Sequence, residues 1–135
     1  MPDNFDIHNF FEAVINQDKD KLREFFDDDA TIIWANTNEQ FTLDEYIRAN
    51  CEYPGKWSGK VEDFNVIKDT SDERSMVFTA IVKNAEGYAA RTVSFIDFAQ
   101  NEDELIDVLV ENWSDITDPP AWRREMNIGR RYEDC

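Results

Sequence analysis

The sequence predicts an α+β domain in which N-terminal helices pack on a strongly bent antiparallel sheet. Two observations carry this. Up to about residue 51, apolar residues recur mainly at helical spacing, interrupted by one short apolar strand beginning at Ala30. From Ser58 onward they fall at strand spacing, separated by polar connections of hairpin length. A chain of 135 residues, 41% hydrophobic and 13% aromatic, suits one domain over residues 1–135 with one core.

The elements follow in order. Ile7, Phe10, Phe11, Val14 and Ile15 mark an amphipathic first helix, with Asp3 or Asn4 as cap. Asp18 caps a second, shorter helix whose apolar stripe is Leu22, Phe25 and Phe26. Asp27, Asp28 and Asp29 end it, because three acids near a helix C-terminus oppose the macrodipole and fit a solvated turn. The third helix is specified best. Thr42 stands at the N-cap with Glu45 three residues on, a capping box, and Phe41 and Tyr46 occupy the positions of a hydrophobic staple. Leu43, Tyr46 and Ile47 form its buried stripe, which places Asn50 and Cys51 one turn further on the inward face. Pro54 and Gly55 stop it. Strands are then predicted over residues 61–68, 75–83, 88–99 and 104–114, joined by 69–72, 84–87 and 100–103.

Charge narrows the partners. The formal net charge of −16 repels phosphate, which argues against nucleic acid and against an anionic membrane surface. The balance is uneven: residues 1–118 carry 10 basic and 27 acidic side chains, and residues 119–135 carry 4 and 3. A tail over 119–135 is therefore expected to pack on the acidic body, with Trp122 as its buried anchor. Cys51 and Cys135 form no spaced framework, so a reducing, cytoplasmic setting is expected. The N-terminus has no basic region followed by a long apolar run, and no segment approaches the ~20 apolar residues of a membrane span.

Alternation in the last strand puts Leu105, Asp107, Leu109, Glu111 and Trp113 on one face. A carboxylate against apolar walls has its charged form disfavoured, which moves it toward the range useful for proton transfer. Glu111 is thus the candidate catalytic residue; the competing role is a structural glutamate paired with an Arg such as Arg91 or Arg123, or bonded to an Asn or Trp donor. Asn50, Cys51, Tyr53 and Trp57 form a candidate lip at the end of the third helix. Cys51 has no base or electropositive setting in view and reads as a small buried hydrophobe rather than a nucleophile. With His8 the only histidine and no Cys pair at ligand spacing, no metal site is expected. Four glycines supply no phosphate-binding loop, and no nucleophile elbow is present, so no cofactor is expected.

The run from Phe25 to Trp34, followed by Phe41 to Glu45 and by Val110-Glu111-Asn112-Trp113, resembles the NTF2-like (cystatin-like) superfamily and its SnoaL-like members. Asn50 to Gly55 together with Trp34 to Glu39 looks like the extended signature of an uncharacterised SnoaL-like subgroup. The resemblance covers nearly the whole chain and implies a cone around a pocket, homodimerisation through the sheet, and no cofactor. It matches Trp113 to a pocket-lining aromatic, so Glu111 is expected to point into the pocket beside it. The implied ligand-binding set is Phe10, Trp34, Asn50, Cys51, Trp57, Ser94 and Trp113. Ketosteroid isomerase shares this fold and uses an Asp base with a Tyr and a protonated Asp as oxyanion donors. Sliding its pattern along Phe26 to Thr31 puts the Tyr position at Phe10, the base at Trp34 and the second Asp near Ser94. All three chemical groups are absent, and Phe10 and Trp34 cannot perform the corresponding proton transfer or oxyanion donation, which on this alignment excludes that mechanism.

Two functions remain open on these grounds. One is binding of a small apolar or aromatic organic molecule, with cofactor-free isomerase, cyclase or hydrolase-type chemistry at a pocket carboxylate. The other is a noncatalytic interaction or dimerisation domain whose pocket is filled by its own side chains. The state of the cavity separates them.

Overall fold

The structure is a computed structural model and describes residues 5–100 and 104–132. Asp3, Asn4, the turn residues Asn101 to Asp103 and Cys135 lie outside that range. The chain runs α1 (Ile7–Ile15), α2 (Lys19–Arg23), β1 (Phe26–Trp34), a single 3-10 turn (Ala35–Thr37), β2 (Glu39–Thr42) and α3 (Leu43–Cys51). It continues through β3 (Trp57–Asp69), β4 (Arg74–Asn84), β5 (Ala89–Phe98), β6 (Ile106–Asp115) and α4 (Ala121–Glu125). The six strands form one open sheet in the order β2-β1-β6-β5-β4-β3. This is the α+β cone that the sequence predicts.

One face of the sheet makes the core. Met76, Phe78, Ala80 and Val82 alternate inward along β4, and Ala90, Thr92, Ser94, Ile96 and Phe98 do so along β5. The α1 phenylalanines Phe10 and Phe11 each meet Phe78 edge-on at 6.2 Å between centroids, and Tyr46 of α3 lies 5.4 Å from Phe26. Such edge-to-face pairs set the positive rim of one ring against the negative face of the next. Gly59 of β3 lets this layer close: a Cβ there would stand 2.4 Å from the Ile81 carbonyl oxygen and 3.3 Å from the Phe11 ring.

The helix ends follow local chemistry. The Thr42 amide donates to Glu45 Oε1 at 2.9 Å and the Glu45 amide donates to Thr42 Oγ1 at 3.3 Å, completing the predicted capping box. Asp18 caps α2 as expected. The first helix differs: its cap is Asp6, whose Oδ1 accepts from the His8 and Asn9 amides. Ile7 is already buried, so the residue just before it must carry the cap.

Four further expectations change. The sheet is mixed rather than wholly antiparallel, because β1 pairs parallel with β6. Strand β1 begins at Phe26, not Ala30; Phe26 turns into the core while the three acids fall in an irregular stretch between the Phe26 and Thr31 pairings. On β6, a register shift opposite Asp97 and Phe98 leaves Ile106 buried and Asp107 exposed, so the inward alternation holds only from Leu109 to Trp113. In the tail Trp122 is 62% exposed, not a buried anchor; its short helix sets the indole beside Arg123, and the segment touches the sheet where Arg91 stacks on Tyr132. No helix among the described residues is long and apolar enough to cross a membrane.

Replacing Thr42 by Ala removes one side of the reciprocal box. It should lower unfolding stability by roughly 0.5–2 kcal/mol, read as a reduced urea midpoint at unchanged slope. An unchanged midpoint would contradict the capping role.

Candidate functional site

Register places three side chains from three strands in one row. Trp34 of β1 and Ser94 of β5 each stand opposite Glu111 of β6. The Trp34 Nε1–H donates to Glu111 Oε1 at 3.2 Å, and the Ser94 hydroxyl donates to Oε2 at the same distance. Glu111 is 4% exposed, and no ion pair among the described residues includes it. Of the structural partners expected for it, the Trp donor is present, as Trp34, whereas the arginines are occupied elsewhere: Arg91 pairs with Glu62 at 3.2 Å, and Arg123 lies over Trp122.

Two neutral donors do not replace the solvation a carboxylate loses on burial. Burial pushes the Glu111 carboxyl up from its ordinary 4.5 to about 7, against the smaller opposing effect of the Trp34 and Ser94 hydrogen bonds. The surroundings contain further unspent polarity. The Tyr46 hydroxyl and Thr92 Oγ1 are buried and have no hydrogen-bond partner among the described residues. Burial, then the nearby Glu111 charge, holds the Tyr46 phenol well above its ordinary value, so it stays a neutral donor.

A cavity of about 320 Å³ opens beside this row, at the mouth of the cone. Five of the predicted site and lip residues line it: Trp34, Asn50, Tyr53, Trp57 and Trp113. Its lip is built by a clasp between α1 and α3. The Gln17 side chain, on a left-handed residue just past α1, donates to the Asn50 and Tyr53 carbonyls, and Asn50 Nδ2 donates to the Val14 carbonyl at 3.1 Å. Across the mouth, Asn36 Oδ1 accepts from the Trp113 amide at 3.3 Å.

The other four predicted residues do not line the cavity. Phe10 is fully buried among Phe5, Phe25, Phe26 and Phe78, because its position in mid-α1 faces the base of the cone. Cys51 packs against the core with Asn50 Nδ2 3.9 Å from its sulfur, and burial raises its thiol pKa, which suits an unreactive residue. Ser94 and Glu111 sit behind the Trp34 indole, one layer in. Lining residues that the spacing argument passed over are Gln17, Asn36, Thr37, Glu39, Tyr88 and Asp115. Asp115 was within reach of it, since Glu111, Trp113 and Asp115 continue one alternation. His8 is exposed, with its ring against Phe64 rather than the cavity. Among the described residues, no three His, Cys, Asp or Glu side chains converge to hold a metal ion.

Because the folded-state value of Glu111 lies above its ordinary one, the folded chain holds more protons than the unfolded chain between about pH 4.5 and 7. Its contribution is fully present below that window and lost as pH rises through it, by roughly 3 kcal/mol. Glutamine keeps an acceptor for Trp34 and a donor for Ser94 without the charge. Urea titrations across pH 4.5–8 should therefore show Glu111→Gln gaining on the parent chain by about that amount; parallel pH profiles would contradict the buried charge.

No family model matches the chain, and no curated protein matches it in sequence. Solved structures do match in shape. A candidate ketosteroid isomerase from Kribbella flavida DSM 17836 is 20% identical at a TM-score of 0.70, over 93% of this chain and 87% of that one. An NTF-2 like protein of unknown function from Burkholderia xenovorans LB400 is 18% identical at 0.67, over 91% and 90%. A candidate SnoaL-like polyketide cyclase from Shewanella denitrificans OS-217 is 11% identical at 0.57, over 78% and 85%. The chain has the NTF2-like fold that these structures share.

Proposed function

We propose that this chain binds a small apolar or aromatic organic molecule in the cone mouth, and that Glu111 is the proton-transfer group for the bound molecule. The observation that carries this is the double use of Trp34. Its indole walls the cavity and also donates to the Glu111 carboxyl. A molecule that displaces the indole exchanges a Trp34–Glu111 hydrogen bond for direct access to a carboxyl poised near neutrality. Glu111 then accepts a proton from a carbon or oxygen acid and returns it, with Ser94 and the unpartnered Tyr46 hydroxyl as neutral donors to the charge that develops. Isomerisation and cyclisation need nothing more than such a shuttle. This proton chemistry differs from the ketosteroid isomerase layout, since the acid stands on β6 between the Trp34 and Ser94 positions rather than at either of them.

The alternative, a domain with a filled pocket, is disfavoured by the open volume. Its dimerisation component fits alongside the binding role. On the outer face of the sheet Val77, Phe95 and Val110 stand opposite one another on β4, β5 and β6, and Phe95 remains 44% exposed in mid-sheet. We infer that this face pairs with a second copy of the chain.

Titration with 1-naphthol, followed by the indole N–H signals in NMR, should give saturable shifts at Trp34 and Trp57. Trp113→Ala should weaken binding by about tenfold, the scale of one lost aromatic contact. Absence of saturable shifts at the cavity tryptophans would contradict the binding role. Separately, Phe95→Glu should convert a sedimenting dimer to monomer while leaving those shifts in place; a parent chain that is monomeric at high concentration would contradict the sheet interface.

A further inference from the structure

The chemistry of the cavity rim points to one class of ligand within the role just proposed. Tyr53, Trp57 and Tyr88 form a chain of mutually perpendicular rings, with centroids 5.5 Å apart for the first pair and 5.8 Å for the second. All three line the cavity, as do Trp34 and Trp113. Two carboxylates, Glu39 and Asp115, stand on the same lining, and among the described residues no Lys, Arg or His contributes to it. Aromatic rings set at right angles, with one acid bonded to Tyr88 and a second on the same lining, present negative π faces and negative charge together. An anion meets repulsion there, and a neutral molecule uses only the rings.

Local hydrogen bonds hold the arrangement in place. The Tyr88 hydroxyl donates to Asp115 Oδ1 at 2.6 Å, which fixes both the ring and the carboxylate. Burial and that carboxylate push the Tyr88 phenol up to about 12, so it remains a donor throughout the ordinary pH range. The Trp57 Nε1–H donates to the Pro54 carbonyl at 3.1 Å, and the Gln17 bond to the Tyr53 carbonyl pins the backbone beneath the third ring. The rings are thereby oriented before any ligand arrives. The net charge of −16 adds a long-range field of the same sign.

We propose that the cavity selects an organic ammonium ion, a quaternary or protonated tertiary amine whose head sits against Tyr53, Trp57 and Tyr88 beside Asp115 and whose apolar body extends toward Trp34. Cation–π attraction and the rim carboxylates supply the preference for the head, and the tryptophans supply contact for the body. The inference rests on the proposed binding role and narrows it to a charge class.

The test compares (2-hydroxyethyl)trimethylammonium with its uncharged carbon isostere, 3,3-dimethylbutan-1-ol, with 1-naphthol as the neutral aromatic reference. Binding to the full chain is followed by indole N–H shifts at Trp57 and Trp113 at low and high salt. The cation should bind at least tenfold more tightly than the isostere at low salt. Asp115→Asn should remove a several-fold part of that preference for the cation over its isostere, and raising the salt should weaken the cation alone. Equal binding of cation and isostere, or a 1-naphthol response with none from the cation, would overturn the ammonium assignment and leave the cavity's binding role intact. A failure of all three probes to shift the cavity signals would overturn both.

Discussion

One buried carboxyl holds the centre of this molecule together. Glu111 accepts from β1 through Trp34 and from β5 through Ser94, so a single side chain on β6 cross-links three neighbouring strands on the inner face of the cone. The parallel β1/β6 pairing is what brings Trp34 opposite it. Both bonds come from neutral donors, and the cost of burying the charge is therefore only partly offset. An apolar residue at this position would suit the core better. A carboxyl kept in such surroundings, beside an open volume and two unpartnered hydroxyls, is a structural conflict of the kind that functional sites contain.

The cavity and the carboxyl are two compartments joined by one side chain. The outer compartment is aromatic and acidic at its rim, and the clasp of Gln17 and Asn50 ties its lip to the helices rather than leaving it to a mobile loop. The inner compartment holds Glu111, Ser94, Tyr46 and Thr92. Trp34 meets Phe41 at 4.9 Å and Tyr46 at 6.4 Å as well as Glu111, so its position reports on both. This arrangement explains why ligand selection and proton handling can be carried by different residues. Under the proposed function, rings and charges at the mouth would select the ligand, and the protonation of Glu111 behind them would set the chemistry.

The parts legible in the sequence are those fixed by neighbours in the chain. Thr42 and Glu45 satisfy each other's amides three residues apart, and the resulting helix start is where the pattern puts it. Alternation correctly put Glu111 and Trp113 on one face of β6. It failed at Asp107, because the bulge depends on the pairing with β5 and leaves no mark in β6 alone. The same limit hid β2 and the parallel partner of β1, both of which are choices between distant segments. Helical spacing marked Phe10 as inward-facing, yet depth along the cone is set by how α1 lies on Phe78 and not by period. Trp122 shows the converse: a large apolar residue after two prolines suggests an anchor, but a short helix with Arg123 and Arg124 in its last turn leaves the indole beside Arg123 and open to solvent.

Glu111 is buried with no cationic partner among the described residues, which poises its carboxyl near neutral pH. A carboxyl-resolved NMR titration of the folded chain measures this at the atom concerned. The account predicts a Glu111 midpoint near 7, coupled to a shift of the Trp34 indole N–H over the same range. A midpoint at or below the ordinary glutamate value of about 4.3 would contradict it and remove the basis for proton transfer at this site.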